Sequence, residues 1–213
     1  MNRPPFKSPE MRISFASMKM QSTATPAGAP ASPHDTQLTS LHALVNQGRL
    51  AEAETTAQAL VENYSNLGKA WLILAATRLA QGKDGLEAAQ RAVALLPESE
   101  QAICNLGRAW HDRRQHSQAI SAYREALRLR PNLLPALVNL GIALRETGDL
   151  MGSEATLRDA IRQHPTSPDA FNELGVTLTA VGQFNAAYQS LQTALKLRPT
   201  FVSAILNLAQ TLN

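Results

Sequence analysis

The feature that most constrains this chain is its resemblance to itself after a shift of 34 residues. The stretch 100–133, EQAICNLGRAWHDRRQHSQAISAYREALRLRPNL, aligns in this way with 134–167 and with 168–201. Small residues, a leucine and a proline recur at fixed places, which in the first of these copies are Ala102, Leu106, Gly107, Ala126 and Pro131. A fixed period of this length predicts a stacked array of small units, each burying its apolar face against its neighbours.

Each unit contains two amphipathic segments. In the first unit Leu38, Leu41 and Val45 recur at three- and four-residue steps, which predicts a helix with one apolar face. Gly48 interrupts this pattern, and a second segment of the same kind covers residues 51–61. Neither segment is long enough to be stable alone in water, so we expect the two to pack as a helical hairpin. A proline ends the second helix of the later units, at Pro97, Pro131, Pro165 and Pro199.

The sequence therefore predicts an all-α array of five hairpins, at 34–67, 68–99, 100–133, 134–167 and 168–201. A partial sixth unit, 202–213, supplies one helix with apolar residues on more than one side. This helix is a lone cap, a partner surface, or the point at which a larger protein has been cut, and we favour the last explanation. If Ile205 and Leu208 are uncovered, we expect the chain to self-associate or fray through this helix.

Residues 1–33 differ from the rest in composition. They are rich in Pro, Ser, Thr, Ala and Met and have no helical period, so we expect a disordered tail. Their basic, acid-poor composition also loosely resembles an organelle transit peptide. Met11, Met18 and Met20 leave a third interpretation open, in which the natural start lies further in and the tail is partly an artefact of start-site choice.

The charge distribution argues against a nucleic-acid partner. The net charge of +3 belongs to residues 1–33, because the other residues hold 16 basic and 16 acidic side chains. A nucleic-acid site would need clustered Lys and Arg on one face. No signal-peptide core and no membrane-spanning run are present, and the single cysteine suits a reducing compartment. We therefore expect a cytoplasmic protein without a membrane or nucleic-acid partner.

Motifs for catalysis, cofactors and metals are missing from the sequence. There is no phosphate-binding glycine loop, no zinc-ligand spacing and no nucleophile elbow. His111 and His116 are five residues apart, which does not place them on one helical face, so we expect no metal site. Cys104 has no activating base nearby in sequence and is expected to be a small buried side chain. These absences predict a protein that is not an enzyme and carries no cofactor.

The period and its residue pattern resemble the tetratricopeptide repeat. The residues that carry the resemblance are Trp71 and Trp110, the pairs Leu106-Gly107, Leu140-Gly141 and Leu174-Gly175, and Leu144, Ala119, Ala187, Tyr123, Leu157, Leu191, Ala126, Ala160 and Ala194. The resemblance covers residues 34–213 and is strongest in the last three full units. The first unit departs from it, with Ser65 where proline is usual. The resemblance implies a right-handed α-solenoid of tetratricopeptide hairpins, five plus a lone final helix.

In that family the first helices of the hairpins line a concave face, where extended peptides or partner helices bind. Carried over, this implies a partner-binding wall made of Asn105, Arg108, Asn139, Arg145, Asn172, Glu173 and Asn207. A ladder of amides can bond a peptide backbone whatever its sequence, and this one is similar to the asparagine ladder in the repeat region of the O-linked N-acetylglucosamine transferase. The alternative, that these amides only bond the neighbouring helix, remains open.

The resemblance implies a non-catalytic scaffold that binds a protein or peptide in its concave groove. The alternative is the substrate-docking N-terminal region of a larger glycosyltransferase or sulfotransferase, whose catalytic domain would lie outside this chain. One family activity is disfavoured, because chaperone-binding members clamp a carboxylate with Lys, Asn and Arg at set places. At the corresponding places this chain has Leu38, His42 and Ile73, and no lysine. In the other register, the acidic Asp169 and Glu173 would repel the bound carboxylate.

Overall fold

The computed structural model describes residues 33–212, and within that range it contains eleven α-helices and no strand. The helices are α1 Pro33–Asn46, α2 Leu50–Asn63, α3 Gly68–Ala80, α4 Leu86–Leu95, α5 Glu100–Asp112, α6 His116–Leu129, α7 Leu134–Glu146, α8 Leu150–Gln163, α9 Pro168–Val181, α10 Phe184–Leu197 and α11 Val202–Thr211. The predicted all-α fold of successive helical hairpins is confirmed. The predicted disordered tail lies outside the described residues, apart from Pro33, which begins α1.

The described residues form two compact units, which we call the N-terminal unit (33–139) and the C-terminal unit (140–212). α7 contributes residues to both units. In the N-terminal unit α1 packs on α2, α2 on α3, and so on to α6, while α3 also contacts α1 and α5. In the C-terminal unit α9 packs on α8 and α10, and α11 contacts both α9 and α10. First helices therefore lie beside one another within each unit.

The turn inside each hairpin requires one residue with positive φ. Four hairpins place glycine there, at Gly48, Gly82, Gly148 and Gly182, with φ between 70° and 87°. A side chain in this left-handed conformation crowds the following carbonyl, and glycine avoids that cost. The third hairpin places Arg114 at the same point, with φ 59°. It is the one non-glycine residue with positive φ in the described chain.

The second helices end where the sequence predicts. α4, α6, α8 and α10 each end two residues before a proline, at Leu95, Leu129, Gln163 and Leu197. The next residue leaves the helix and its N–H donates to the carbonyl four residues back, as Leu96 does to Ala92 at 2.8 Å. Proline cannot continue the helix, since it lacks the N–H donor and restricts the residue before it. In the first hairpin α2 ends in the same geometry at Asn63, with Ser65 in place of proline.

The Leu-Gly pairs lie where the two helices of a hairpin approach most closely. A Cβ built on Gly107 would lie 2.7 Å from Tyr123 Cε1, closer than real contacts allow. In the C-terminal unit a Cβ on Gly141 would lie 2.6 Å from Leu157 Cγ. Tyr123 and Leu157 are almost completely buried against these glycines. The recurring glycine therefore makes room for a large side chain, and the repeated pattern is a packing pattern.

Candidate partner-binding site

Asn105 lies on α5 in the N-terminal unit and combines burial with an unsatisfied donor. The residue is 8% exposed, and its side-chain Nδ2 has no hydrogen-bond partner among the described residues. A buried amide N–H without an acceptor costs about 1–3 kcal/mol of desolvation. Asn139 is similarly buried at the end of the same unit, at 7% exposure. The two residues predicted as neighbouring rungs of the ladder are thus both nearly inaccessible to water, and Asn105 retains an unused donor.

Arg108, one turn along α5 from Asn105, is held by the neighbouring helix. Its Nη2 donates to the carbonyl oxygen of Leu79, near the end of α3, at 2.9 Å. The last carbonyls of a helix lack partners within that helix, and a cation there also suits the helix dipole. Arg108 therefore links α5 to α3, and at least one of its N–H donors is used in a contact between these two helices.

In the C-terminal unit, four predicted site residues come together in one hydrogen-bonded chain. Asn207 Nδ2 donates to Asn172 Oδ1, and Asn172 Nδ2 donates to Glu173 Oε1, each at 2.9 Å. Arg145 Nη2 donates to Glu173 Oε2, also at 2.9 Å. This series of hydrogen bonds therefore links α7, α9 and α11 through their side chains. Here the interpretation that the amides bond a neighbouring helix describes the contacts that are seen.

The same series of hydrogen bonds extends into the protein interior through two hydroxyl groups that no sequence pattern singled out. Arg145 Nη1 lies 3.2 Å from Thr177 Oγ1, which in turn lies 3.0 Å from Ser153 Oγ. Thr177 and Ser153 are completely buried. The Arg145 and Glu173 side chains are only 17% and 19% exposed, so their attraction is weakly screened by water. An isolated threonine or serine on an apolar helix face carries no signal of such a contact.

Two histidines make a contact that the sequence did not indicate. His111 in the last turn of α5 and His116 at the start of α6 have ring centroids 5.6 Å apart in an edge-to-face arrangement. Their spacing does not place them on one helical face, as expected, but it gave no indication that the two rings meet across the turn between two helices. A tight turn through Arg114 separates them and folds the second ring back onto the first. The absence of a metal site remains a prediction.

Cys104, next to Asn105 on α5, matches its expectation. The thiol is free and buried, and burial raises its pKa to about 12. A thiol nucleophile must be deprotonated to react, so this one is inert at neutral pH.

With this geometry in place, the comparisons with known proteins decide the family. The sequence profile of the Tetratricopeptide repeat matches residues 78–133 and 138–200, which is more than half of the chain. The chain belongs to the tetratricopeptide repeat family. The resemblance noted from the Leu-Gly, Ala and Pro columns is thereby confirmed. No sequence among the curated proteins matches this tetratricopeptide repeat chain significantly.

Solved tetratricopeptide repeat structures share the fold. TTC0263 of Thermus thermophilus is 22% identical, with a TM-score of 0.70, covering 83% of this chain and 97% of its own. YrrB, described as having an unusual peptide-binding site, is 20% identical with a TM-score of 0.60, covering 80% and 89%. MamA is 19% identical with a TM-score of 0.62, covering 80% and 97%. Identities this low establish the fold and leave the partner open.

The described helices of this tetratricopeptide repeat protein are short and amphipathic. None of those between residues 33 and 212 has the length and apolar character needed to cross a bilayer.

Proposed function

We propose that this protein is a non-catalytic interaction scaffold that binds an extended peptide or a helical segment along the first helices of its hairpins. The binding site that we propose is centred on Asn105 and includes Asn139 as its second rung. The observation that carries the proposal is the buried Nδ2 of Asn105, which has no acceptor within the described protein. Buried donors in folded proteins are nearly always satisfied, so this unused donor suits an acceptor from a partner. Because Asn105 is only 8% exposed, this proposal requires its side chain to rotate outward when the partner binds.

The chemistry of this site favours a neutral acceptor. Cys104, the preceding residue on α5, is a buried thiol whose raised pKa keeps it neutral, and Arg108 already donates to the carbonyl of Leu79. A neutral amide donor in such surroundings fits the carbonyl oxygen of a peptide group, which every residue of a partner carries. We therefore propose recognition of the partner's backbone, with side-chain selectivity supplied by other contacts. A peptide-binding site in YrrB, a structural neighbour, is consistent with this use of the fold.

The other predicted contact residues take a different part in this proposal. Asn172, Asn207 and Glu173 already bond one another, and Arg145 bonds Glu173. For these groups, binding a partner through the same atoms would first require breaking existing hydrogen bonds, each worth about 0.5–1.5 kcal/mol net and more where a charge is involved. In this proposal the hydrogen bonds to the partner come from Asn105 and Asn139 of the N-terminal unit.

The experiment begins with a random 12-residue phage-displayed library selected on the full chain, because the natural partner is unidentified. The affinity of the selected peptides is then measured by isothermal titration for the wild type, Asn105→Ala and Asn105→Ala/Asn139→Ala. We expect Asn105→Ala to weaken binding about tenfold, which corresponds to one hydrogen bond of about 1.4 kcal/mol. The double variant should weaken binding further.

Asn172→Ala serves as the matched control, since it removes an amide of the same type that is already bonded. It should lower stability while leaving the peptide affinity within about twofold, a difference of less than about 0.5 kcal/mol. Equal binding of the selected peptides to the wild type and to Asn105→Ala would contradict the proposed site. Failure of the library to yield any specific peptide would contradict the scaffold function itself.

The compartment also remains a proposal. The chain has one cysteine, and it is buried as a free thiol. A structure that uses no disulfide and keeps its thiol reduced suits a reducing environment. We place the protein in the cytoplasm on this ground, and fractionation of cells expressing the natural gene product would test it.

A further inference from the structure

The exposed apolar residues of this protein are concentrated in one part of the chain. Among the described residues, ten large apolar side chains are exposed, and eight of them lie between residues 181 and 212. On α11 and just after it the exposed ones are Val202, Ile205, Leu206 and Leu212, with exposed fractions of 52%, 48%, 54% and 67%. Clusters of exposed apolar side chains mark interaction sites more often than scattered ones do.

The spacing of these residues gives α11 a second apolar stripe. Ile205 and Leu206 lie three and four residues after Val202, and the exposed Ala209 lies four and three residues after them, so the four share one face of the helix. The opposite face is already used, because Ala204 is completely buried in a cluster with Ala194 and Phe201. α11 therefore packs on its own unit through one side and presents an independent apolar stripe on the other.

The charge around this stripe narrows the choice of partner. Lys196 and Arg198 are the two charged residues between positions 174 and 212, and α11 itself has none. Arg198 is bound by both carboxylate oxygens of Asp169 and lies 4.4 Å over the ring of Phe201. A strongly charged partner would find little complementary charge here, whereas two copies of this surface would meet without like-charge repulsion.

The repeat pattern restricts the shape of whatever covers the stripe. Ala209 occupies the place held by Gly175 one repeat earlier, where a Cβ would lie 2.5 Å from Leu191 Cγ. Because Ala209 has that Cβ, a helix that places leucine or tyrosine opposite it, as α6, α8 and α10 do opposite their glycines, would have to stand further away. A smaller or β-branched residue opposite Ala209 permits a close approach.

We infer that the stripe is a homodimerisation surface, on which α11 of a second copy packs antiparallel about a two-fold axis between Ile205 and Leu206. This symmetry sets Val202 opposite Ala209 of the other copy, which is the small-against-β-branched pairing that the shape requires. It also sets Ile205 opposite Leu206, at the centre of the contact. An isologous contact of this kind closes after two copies, because each surface is its own complement.

The N-terminal unit argues against head-to-tail stacking of copies. Within the described residues 34–67, Tyr64 is the single large apolar side chain that is exposed, at 37%. A heterologous contact would therefore place the apolar stripe of α11 against a polar surface, and growth from copy to copy would be unfavourable. The dimer is independent of the proposed peptide site, since the two use different residues.

Sedimentation velocity on the full chain, over a concentration series from about 1 to 200 μM, tests the inference in the affinity range of weak dimers. The wild type should pass from monomer to dimer, with no larger species. Ile205→Glu should raise the dimer dissociation constant by about a hundredfold or more, because it buries a charge at the centre of the contact. Met151→Glu is the matched control, since Met151 is 85% exposed in the same unit but lies on α8, and it should leave the equilibrium unchanged.

Cysteine crosslinking provides a second measurement that does not depend on weakening the dimer. Leu206→Cys lies next to the axis and should form an intermolecular disulfide on mild oxidation. Val202→Cys should form no intermolecular disulfide. Residue 202 of the second copy lies opposite residue 209 of the first, about 10 Å along the helix from the first copy's residue 202 and beyond disulfide reach. The double variant Val202→Cys/Ala209→Cys should crosslink again. The native Cys104 is buried and should not interfere.

Three results would overturn the inference. A monomer throughout the concentration series excludes the dimer. A dimer unaffected by Ile205→Glu places the contact elsewhere on the chain. Species that grow beyond two, or a Val202→Cys single variant that crosslinks as readily as Leu206→Cys, exclude the antiparallel two-fold arrangement.

Discussion

Residues at the same repeat position differ in their hydrogen bonding between the two units. Asn105 on α5 in the N-terminal unit and Glu173 on α9 in the C-terminal unit occupy the same repeat position, two 34-residue steps apart. Asn105 is buried with an unused donor, whereas Glu173 accepts from both Asn172 and Arg145. Repeat position therefore decides where a side chain stands, and its neighbours decide whether it is available to a partner.

The difference follows from counting donors and acceptors. An asparagine amide brings two N–H donors as well as an acceptor oxygen, so an asparagine in this column offers donors that need an acceptor. A carboxylate brings acceptors only, and Glu173 accepts from Asn172 and from Arg145. One substitution in the column thus converts an open set of donors into a closed network. This comparison can be tested by breaking the closed network and by removing the open donor.

The largest effect is expected from Glu173→Ala. Removing this carboxylate leaves the guanidinium of Arg145 only 17% exposed and without its ion-pair partner. We expect a loss of about 2–3 kcal/mol in the free energy of unfolding, below the range for fully buried pairs because both groups retain some water. Urea unfolding followed by far-ultraviolet circular dichroism, together with hydrogen exchange of residues 140–212, measures it.

Glu154→Ala is the control for that prediction. Glu154 forms an ion pair with Arg158 one turn away on α8, and the Arg158 side chain is 54% exposed. An exposed pair of this spacing is worth about 0.3–0.5 kcal/mol. If both variants lose the same stability, the closed network in the C-terminal unit contributes no more than a surface ion pair and the comparison fails.

The second-largest effect is a gain in stability, which we expect from Asn105→Ala. Asn105→Ala removes a buried donor that has no acceptor in the described chain, so we expect the free energy of unfolding of the N-terminal unit to rise by about 1 kcal/mol. Trp71 and Trp110, the two tryptophans of the chain, both lie in this unit and report its unfolding by fluorescence. A fall of more than about 1 kcal/mol would indicate that Asn105 is bonded in solution. The Asn172→Ala variant should fall, since its amide bonds two neighbours.

The sequence predicted the features that depend on local structure. The hairpins, the interrupting glycines and the proline-ended second helices recur because each arises within one repeat. The hydrogen-bond partners of the polar side chains could not be predicted in this way. Arg145 reaches Glu173 28 residues later, and Asn207 reaches Asn172 35 residues earlier, so their pairing depends on side-chain directions at a helix interface. The 34-residue period gives the repeat position of each residue but not the direction of its side chain.

The third effect compares the turns of the two units. Arg114 holds φ 59° where Gly148 holds φ 87° at the equivalent point in the next hairpin. The left-handed conformation costs a non-glycine residue about 1–2 kcal/mol, partly offset by the greater chain entropy that glycine loses on folding. Arg114→Gly should therefore stabilise the protein by about 0.5–1 kcal/mol, with a matching rise in the urea midpoint.

Gly148→Ala is the reciprocal variant. Nothing lies within 4 Å of a Cβ at this position, so any loss of stability comes from the backbone conformation and not from a steric clash. We expect it to destabilise by about 1 kcal/mol. A destabilising Arg114→Gly would show that the arginine side chain has contacts that outweigh the backbone cost, and the turns would then differ in function as well as in residue.

The smallest effect is expected from His42, on α1 of the N-terminal unit. Burial, and then the nearby positive charge of Lys69, lower the pKa of this imidazole from its ordinary value of 6.5. The unfolded chain therefore binds a proton more readily than the folded chain, and the unfolding free energy falls as the pH falls through 6.5 and below. Above that pH both states are neutral at His42 and its pH-dependent contribution is fully present. Tryptophan-detected unfolding at pH 8 and at pH 5.5 should show a smaller pH dependence for His42→Gln than for the wild type. Lys69→Gln should reduce the dependence less, since burial is the larger cause, and an equal or larger reduction would reverse that assignment.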